Sequence, residues 1–248
     1  MNKTIPRQFA LDISKTPLPS LNNFITSTHS AEQGFSITEI LKHISKCWKK
    51  NTPIPENFSW IYCWGNHGSG KTHLLKAMEI QANIANISQL FLSPGNTNAW
   101  KELEKNIAKL PAAIFIDDVD QLNQDEQALL FRAQIEAKEQ THVFLMIAGA
   151  SSTSSLLLRE DVRSRLSWGL NFELSVLSDA EKILAINQIA QERGIILSPE
   201  VPLWLLSNFH RDLPSLLSLI EALDHFSLER KRAITLPLLR EFLQSTLI

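Results

Sequence analysis

The chain has 248 residues, 44% of them hydrophobic, which is enough to fill a core and excludes a disordered or collagen-like protein. Its 24 lysines and arginines nearly balance its 26 aspartates and glutamates, so the net charge of -2 provides no overall positive field for nucleic acid. The two cysteines lack a disulfide-framework spacing, and no apolar run has the length of a signal-peptide core near the N-terminus or of a membrane span elsewhere. We therefore expect a cytoplasmic protein that does not bind membranes and whose thiols are reduced and buried.

The elements predicted in chain order begin with an irregular arm over residues 1–21, where Pro6, Pro17 and Pro19 disfavour helix. Short apolar stretches then alternate with segments of helical period, as a parallel α/β sheet requires. The predicted strands are 60–64, 89–92, 112–116, 143–148 and 170–174, and the predicted helices between and before them are 37–49, 72–83, 97–108 and 124–139. The sequence thus predicts an α/β nucleotide-binding core over residues 22–177.

After residue 177 the pattern changes to helices alone. Ser178 and Glu181 have the spacing of a capping box, and Ser198 followed by Pro199 predicts a second helix start, with the serine as cap and the proline at the first helical position. The further predicted helices are 199–209, 213–228 and 236–247. Residues 178–248 are therefore predicted to form a small helical lid.

A phosphate-loop motif lies between the first predicted strand and the helix after it. Residues 65–72 read GNHGSGKT and match the pattern GxxxxGKT. Glycines in the loop let backbone N–H groups surround an anion, and the helix N-terminus favours negative charge. Lys71 would contact the β and γ phosphates and Thr72 would bind Mg²⁺; the alternative is a glycine-rich turn with an incidental lysine. The predicted nucleotide-binding residues of this segment are Gly65, Asn66, His67, Gly68, Ser69, Gly70, Lys71, Thr72 and His73.

Two aspartates follow the third predicted strand, at the carboxyl edge of the sheet. Asp117 is the predicted Mg²⁺ partner opposite Thr72. Asp118 would orient or deprotonate an attacking water, which makes it the candidate catalytic carboxylate. The structural alternative for Asp118 is a cap on the helix predicted from Gln124.

Four segments resemble the DnaA-type replication initiators, which are AAA+ ATPases. They read GNHGSGKTHLL at 65–75, IFIDDVD at 114–120, SRLSWGL at 164–170 and HRDL at 210–213, and they occur in the family's order. The resemblance spans residues 18–248 and implies an AAA+ P-loop fold that binds ADP or ATP with Mg²⁺; which of the two is resident stays open. The initiators carry a further C-terminal domain that binds origin DNA, for which these residues have no counterpart, so the chain resembles more specifically the Hda-type regulatory inactivators of the family.

The resemblance to the inactivators implies two partners, a DnaA-type initiator and the sliding clamp of DNA polymerase. A protein of this kind docks on the clamp and promotes hydrolysis of the ATP bound to the initiator, without sequence-specific DNA binding of its own. Arg165, in SRL, is similar to the arginine finger that reaches a neighbouring subunit's nucleotide, and Arg211, in HRDL, is similar to the second sensor that contacts phosphate in cis. A guanidinium suits phosphate oxygens, with surface ion pairing as the alternative for both arginines.

The sequence departs from the family's pattern at two places. Where the family has a polar first sensor, the chain reads Ile147-Ala148-Gly149-Ala150, so weak intrinsic ATP hydrolysis is expected. The segment that cradles adenine in the family retains only its apolar start in residues 24–29, so contacts with the base are expected to differ.

A hexapeptide, QFALDI at 8–13, lies in the proline-bounded arm. In an extended conformation its apolar side chains would share one face, with a glutamine amide as anchor, and it is similar to the clamp-binding peptides of replication proteins. The alternative is an edge strand packed on its own domain. The predicted clamp-binding residues are Gln8, Phe9, Leu11, Asp12 and Ile13.

The leading interpretation is a nucleotide-binding, clamp-dependent regulator whose arginine acts on its partner's ATP. A helicase-loader-like AAA+ ATPase is the main alternative, and the altered first sensor argues against it. A DNA-binding module is a weaker alternative, because the one basic cluster, Arg230-Lys231-Arg232, is short and typical of a solvated helix end. The sequence leaves the oligomeric state, including a homo-oligomer, open.

Overall fold

The computed structural model of the chain describes residues 19–22, 24–25, 36–140, 142–209 and 213–246. The chain divides after Leu177 into two compact units, Pro19–Leu177 and a unit that includes the residues from Ser178 onward. The predicted clamp-binding residues 8–13 and the predicted second sensor Arg211 lie outside the described residues. Within the described part of the chain, no helix is long and apolar enough to cross a membrane.

The first unit is built on five parallel strands. They are β1 (Trp60–Trp64), β2 (Gln89–Leu92), β3 (Ala113–Ile116), β4 (Phe144–Gly149) and β5 (Leu170–Glu173). The order across the sheet is β2-β3-β4-β1-β5, with Ile61 of β1 opposite Met146 of β4 and Leu170 of β5. Every residue of β3 and β4 is buried, since these strands lie inside the sheet and helices cover both faces. The predicted α/β fold class is confirmed.

Five α-helices among the described residues accompany this sheet. They are α1 (Ile37–Lys50), α2 (Lys71–Ile84), α3 (Thr97–Lys105), α4 (Gln124–Glu139) and α5 (Glu160–Leu166). Successive β3 side chains point to opposite faces, so Phe115 joins the core beneath α1 and α2, whereas Ile114 joins the core beneath α3 and α4. Cys47 and Cys63 are both free and buried, as expected for thiols in a packed core.

The second unit contains four described helices. They are α6 (Asp179–Glu192), α7 (Glu200–Asn208), α8 (Leu213–Arg230) and α9 (Leu236–Thr246). The predicted capping box forms, because the Ser178 hydroxyl accepts from the Glu181 N–H at 3.3 Å and the Glu181 carboxylate accepts from the Ser178 N–H at 2.7 Å. The helices of this unit pack around an apolar core. Its buried members include Leu205, Leu216, Ile220, Leu223 and Leu238.

The predicted start of α7 is wrong by one position. Pro199 is the cap residue rather than the first helical residue, and no side chain caps the helix. The Ser198 hydroxyl donates to the Glu200 carboxylate instead, while the Ser198 carbonyl accepts from the Val201 N–H at 3.0 Å. The Ser198 hydroxyl, which was predicted to cap the helix, is therefore bound to the carboxylate of Glu200.

Candidate nucleotide-binding site and arginine surface

The phosphate loop connects β1 to α2, and close packing explains its glycines. Gly70 caps α2 with a φ of 92°, a conformation that favours glycine. A Cβ at Gly70 would also lie 2.6 Å from the Phe24 ring, and one at Gly65 would collide with the carbonyl oxygen of Leu174. The loop is thus held between the segment before α1 and the end of β5.

Two side chains in and after the loop have polar atoms suited to an anion. The Lys71 ammonium lies over the loop and donates to the carbonyls of Gly65 at 2.7 Å and Asn66 at 3.1 Å. The Ser69 hydroxyl is buried and has no hydrogen-bond partner among the described residues. A buried donor without a partner is costly, and an anionic oxygen would satisfy it. These residues fit a phosphate group.

The Thr72 hydroxyl and Asp117 lie together at the carboxyl edge of the sheet. Asp117 follows β3 and is only 6% exposed. One carboxylate oxygen accepts from the Thr72 hydroxyl at 2.7 Å, and the other accepts from the Asp118 N–H at 3.0 Å. A hydroxyl and a carboxylate are the hard oxygen donors that Mg²⁺ prefers, so the donor set fits this ion.

Asp118 is not the cap of α4. Asn123 occupies that position, and its side chain accepts from the N–H groups of Asp125 and Glu126, both at 3.0 Å. Asp118 instead has a left-handed backbone with φ 45°. Burial, and next the neighbouring carboxylates of Asp117 and Asp120, raise the pKa of the Asp118 carboxyl. The capping alternative is therefore wrong, and Asp118 remains beside the Thr72–Asp117 pair.

His73 holds the described part of the preceding segment against the loop. Its Nε2 lies 3.0 Å from the Ser20 carbonyl oxygen, and its ring centroid lies 5.7 Å from that of Phe24. Phe24 therefore contacts both Gly70 and the first turn of α2. The apolar start of the predicted adenine-cradling segment lies beside the phosphate loop.

The segment at the end of β4 is fixed by two polar contacts that sequence reasoning missed. Asp120 accepts from the Ala150 N–H at 2.8 Å, and the Tyr62 hydroxyl donates to the Ser151 carbonyl at 2.6 Å. Burial raises the pKa of Tyr62, which keeps the hydroxyl protonated as a donor. In the sequence, only the third aspartate of IFIDDVD, Asp120, indicated a further polar contact near this strand end. Ala148 and Ala150 supply no polar side chain here.

Arg165, on α5, contacts two aromatic rings. Its guanidinium carbon lies 4.8 Å from the ring centroid of Phe131 on α4 and 4.7 Å from that of Trp168. It forms no ion pair within the described part of the chain. Arg159, at the start of α5, differs, because two of its nitrogens bind the Asp161 carboxylate at 3.2 and 2.7 Å. Among the described residues, Arg159 therefore forms a surface ion pair and Arg165 does not.

Comparison with known protein families divides the chain in the same way. Residues 61–174 match the family described as ATPases associated with various cellular activities (AAA). Residues 179–243 match the family described as the Hda lid domain. The first match covers the sheet and the phosphate loop, and the second covers α6 to α9 up to residue 243.

Similar proteins and structures agree with this division. An uncharacterised protein of Haemophilus influenzae is 28% identical over 198 residues, which are 79% of this chain and 85% of that protein. Domain III of the Thermotoga maritima replication initiation protein DnaA is 18% identical, with a TM-score of 0.71 over 93% of this chain and 98% of that one. AMPPCP-bound DnaA from Aquifex aeolicus is 21% identical, with a TM-score of 0.63 over 87% of this chain and 68% of that one. Residues 61–174 thus match an AAA domain and residues 179–243 an Hda lid domain, and the fold of the chain is similar to that of DnaA domain III.

Proposed function

We propose that this protein regulates replication initiation by supplying Arg165 to the ATP bound on a DnaA-type initiator, and thereby inactivates the initiator. The observation that carries the proposal is the environment of Arg165. Aromatic faces hold the guanidinium without neutralising it, so the N–H groups at its edge stay available to phosphate oxygens. An arginine paired with a carboxylate, as Arg159 is, would have to break that pair first.

The protein's own phosphate loop supports binding of ADP or ATP. Lys71 and Ser69 would contact the phosphates, and the Thr72 hydroxyl and Asp117 would hold Mg²⁺. When bound, Mg²⁺ would neutralise phosphate charge and link the nucleotide to the end of β3. Arg211 is proposed as the second sensor, and Asp118 as the residue that orients water. That a related initiator is AMPPCP-bound supports an adenine nucleotide.

The proposed substrate ATP belongs to the partner because the protein's own site lacks a polar first sensor. At the end of β4 the side chains of Ala148 and Ala150 cannot contact a γ-phosphate or a water, and the Ala150 N–H already donates to Asp120. Chemistry at the protein's own nucleotide is therefore slow. The nucleotide instead serves to hold the module in a form that presents Arg165.

Docking on the sliding clamp is proposed to proceed through Gln8, Phe9, Leu11, Asp12 and Ile13, in the cytoplasm. The proposal rests on the similarity of the QFALDI segment to clamp-binding peptides. Tethering to the clamp would raise the local concentration of Arg165 near an initiator on the same DNA. The function therefore needs no DNA-binding surface on this chain.

The test is single-turnover hydrolysis of labelled ATP preloaded on the initiator, with clamp loaded on DNA and this protein added. Arg165→Ala is expected to lower the stimulated rate by roughly 10³ to 10⁵, the range for a trans arginine. Arg163→Ala, two residues earlier on α5, is the matched control and is expected to leave the rate unchanged. Equal stimulation by Arg165→Ala and wild type would refute the proposal. Turnover of about 1 s⁻¹ or more by the protein alone would favour the helicase-loader-like ATPase.

A further inference from the structure

Trp168 is exposed more than a tryptophan usually is, yet it is held at several points. The residue is 51% exposed. Its ring stacks on Trp60, the first residue of β1, with centroids 6.0 Å apart and an interplanar angle of 25°. The Lys138 ammonium, at the end of α4, lies 4.2 Å from the ring centroid. Trp168 is therefore a surface aromatic residue whose ring is held by a second ring and a cation.

The backbone beside Trp168 fixes where the ring lies. A Cβ at Gly169 would collide with the carbonyl oxygen of Trp60, so glycine is what allows this backbone to approach the start of β1. β5 begins at the next residue and pairs with β1. The Trp168 ring is thus attached to the rigid sheet through both its backbone and its stack on Trp60.

Arg165 contacts this fixed ring on one side and Phe131 on another, at 4.7 and 4.8 Å. Both distances are within the range of about 6 Å over which a guanidinium is attracted to an aromatic ring. Contact with two rings restrains the guanidinium, and none of its N–H groups has a hydrogen-bond partner among the described residues. A long side chain that would otherwise sample many rotamers is therefore restricted before any partner arrives.

We propose that Trp168 is a positioning residue, which aims Arg165 at the partner's nucleotide by holding the guanidinium beside its ring. The inference rests on the proposed function, since it concerns the arginine that acts in trans. An arginine that acts on a partner's nucleotide must extend beyond the surface of its own protein. The ring that positions it must therefore lie at the surface too, as the half-exposed indole of Trp168 does. Trp168 contacts the arginine and not the ATP.

The first test compares Trp168→Leu with Trp168→Phe in the clamp-dependent assay on the initiator. Leucine removes the ring, and the maximal stimulated rate is expected to fall roughly 3- to 30-fold, as loss of one cation–π contact implies. The protein concentration at half-maximal stimulation should change less than about 2-fold, because docking is elsewhere. Phenylalanine should restore most of the rate. A structural defect would instead lower the melting temperature and raise the half-maximal concentration with both variants.

Lys138→Met provides the matched control at the same ring. It removes the other cation over Trp168 and leaves Arg165 in place, so the maximal rate is expected to stay at the wild-type value. A loss equal to that of Trp168→Leu would mean that Trp168 acts through surface charge at Lys138, and would overturn the proposal. In an Arg165→Ala background, Trp168→Leu should have no further effect on the rate.

A second measurement needs no partner and separates this inference from the proposed function. Relaxation of the Arg165 side-chain Nε, measured by NMR on the protein alone, should show restricted motion that is reduced in Trp168→Leu, where only the Phe131 contact remains, and restored in Trp168→Phe. Arg163, which has no ring contact in the described residues, is the internal comparison. If Arg165→Ala leaves the initiator's hydrolysis stimulated, the proposed function fails. If Arg165→Ala abolishes stimulation but Trp168→Leu changes neither rate nor relaxation, only the positioning role fails.

Discussion

Replacing Asp117 with asparagine should separate the Mg²⁺-dependent part of nucleotide binding from the folding of the loop. The asparagine carbonyl can still accept from the Asp118 N–H, and its amide can donate to the Thr72 hydroxyl. Both hydrogen bonds keep a partner, so the free energy of unfolding is expected to change by less than about 1.5 kcal/mol. The variant loses one negative charge and little else.

The loss of that charge has a calculable effect on Mg²⁺-nucleotide affinity. A pair of unit charges about 4 Å apart is worth about 4 kcal/mol at an effective dielectric constant of about 20, and solvent at the edge of the site reduces this. Since 1.4 kcal/mol is about tenfold in affinity, Asp117→Asn should weaken Mg²⁺-nucleotide binding by roughly 10- to 1000-fold. Wild type and variant should bind the nucleotide alike in excess EDTA.

Isothermal titration calorimetry with ADP and with ATP, each in Mg²⁺ and in EDTA, measures both quantities on the same samples. Urea unfolding of the unliganded proteins supplies the control for folding. An unchanged Mg²⁺ dependence in the variant would show that Asp117 does not hold the ion. A loss of several kcal/mol in unfolding free energy would show that its role in the loop is structural.

Further outcomes are expected at other residues of the chain. Lys71→Ala should abolish most nucleotide binding, and binding that survives unchanged in calorimetry would identify the loop as a structural turn. Gln8→Ala combined with Leu11→Ala should abolish clamp binding measured by surface plasmon resonance, whereas a melting temperature several degrees lower would assign the segment to the core. Tyr62→Phe should lower the unfolding free energy by about 1–3 kcal/mol, because the carbonyl that receives its hydroxyl loses a donor. Because burial raises the pKa of Asp118, the folded state binds its proton more tightly than the unfolded state does, and stability falls as pH rises above the ordinary value near 4. Asp118→Asn should therefore be more stable than wild type in urea at pH 7, with the difference shrinking towards pH 4, and a variant less stable at pH 7 would contradict this sign.

Local patterns were sufficient to predict most of the elements. The bounds of β1, β2 and α4 agree with the predicted ones, because apolar runs and helix caps are encoded by neighbouring residues. The short helix α5 was not predicted, since it has only 7 residues and Arg159 provides no side-chain cap. Tertiary contacts stabilise such a helix where its own sequence does not.

Contacts between distant residues could not be predicted. Tyr62 and Ser151 are 89 residues apart, and Asp120 and Ala150 are 30 apart, so no local pattern relates them. The same holds for Phe131, which lies on another helix from the Arg165 it contacts. The loop motif and Asp117 could be proposed from sequence because strand ends at one edge of a parallel sheet converge.

The bond between the Asp120 carboxylate and the Ala150 N–H fixes the backbone at position 150 without using its side chain. The amide, not the side chain, makes the contact at 2.8 Å, and every residue except proline carries that amide. This bond therefore does not restrict which residue type, other than proline, stands at position 150. A comparison of side chains at this position would not detect the bond. The partner at 120 has no such freedom, because only a side-chain acceptor of its length reaches the amide. The backbone at 150 can thus be fixed in space by a bond that does not depend on its side chain, and proline is the substitution that would break that bond.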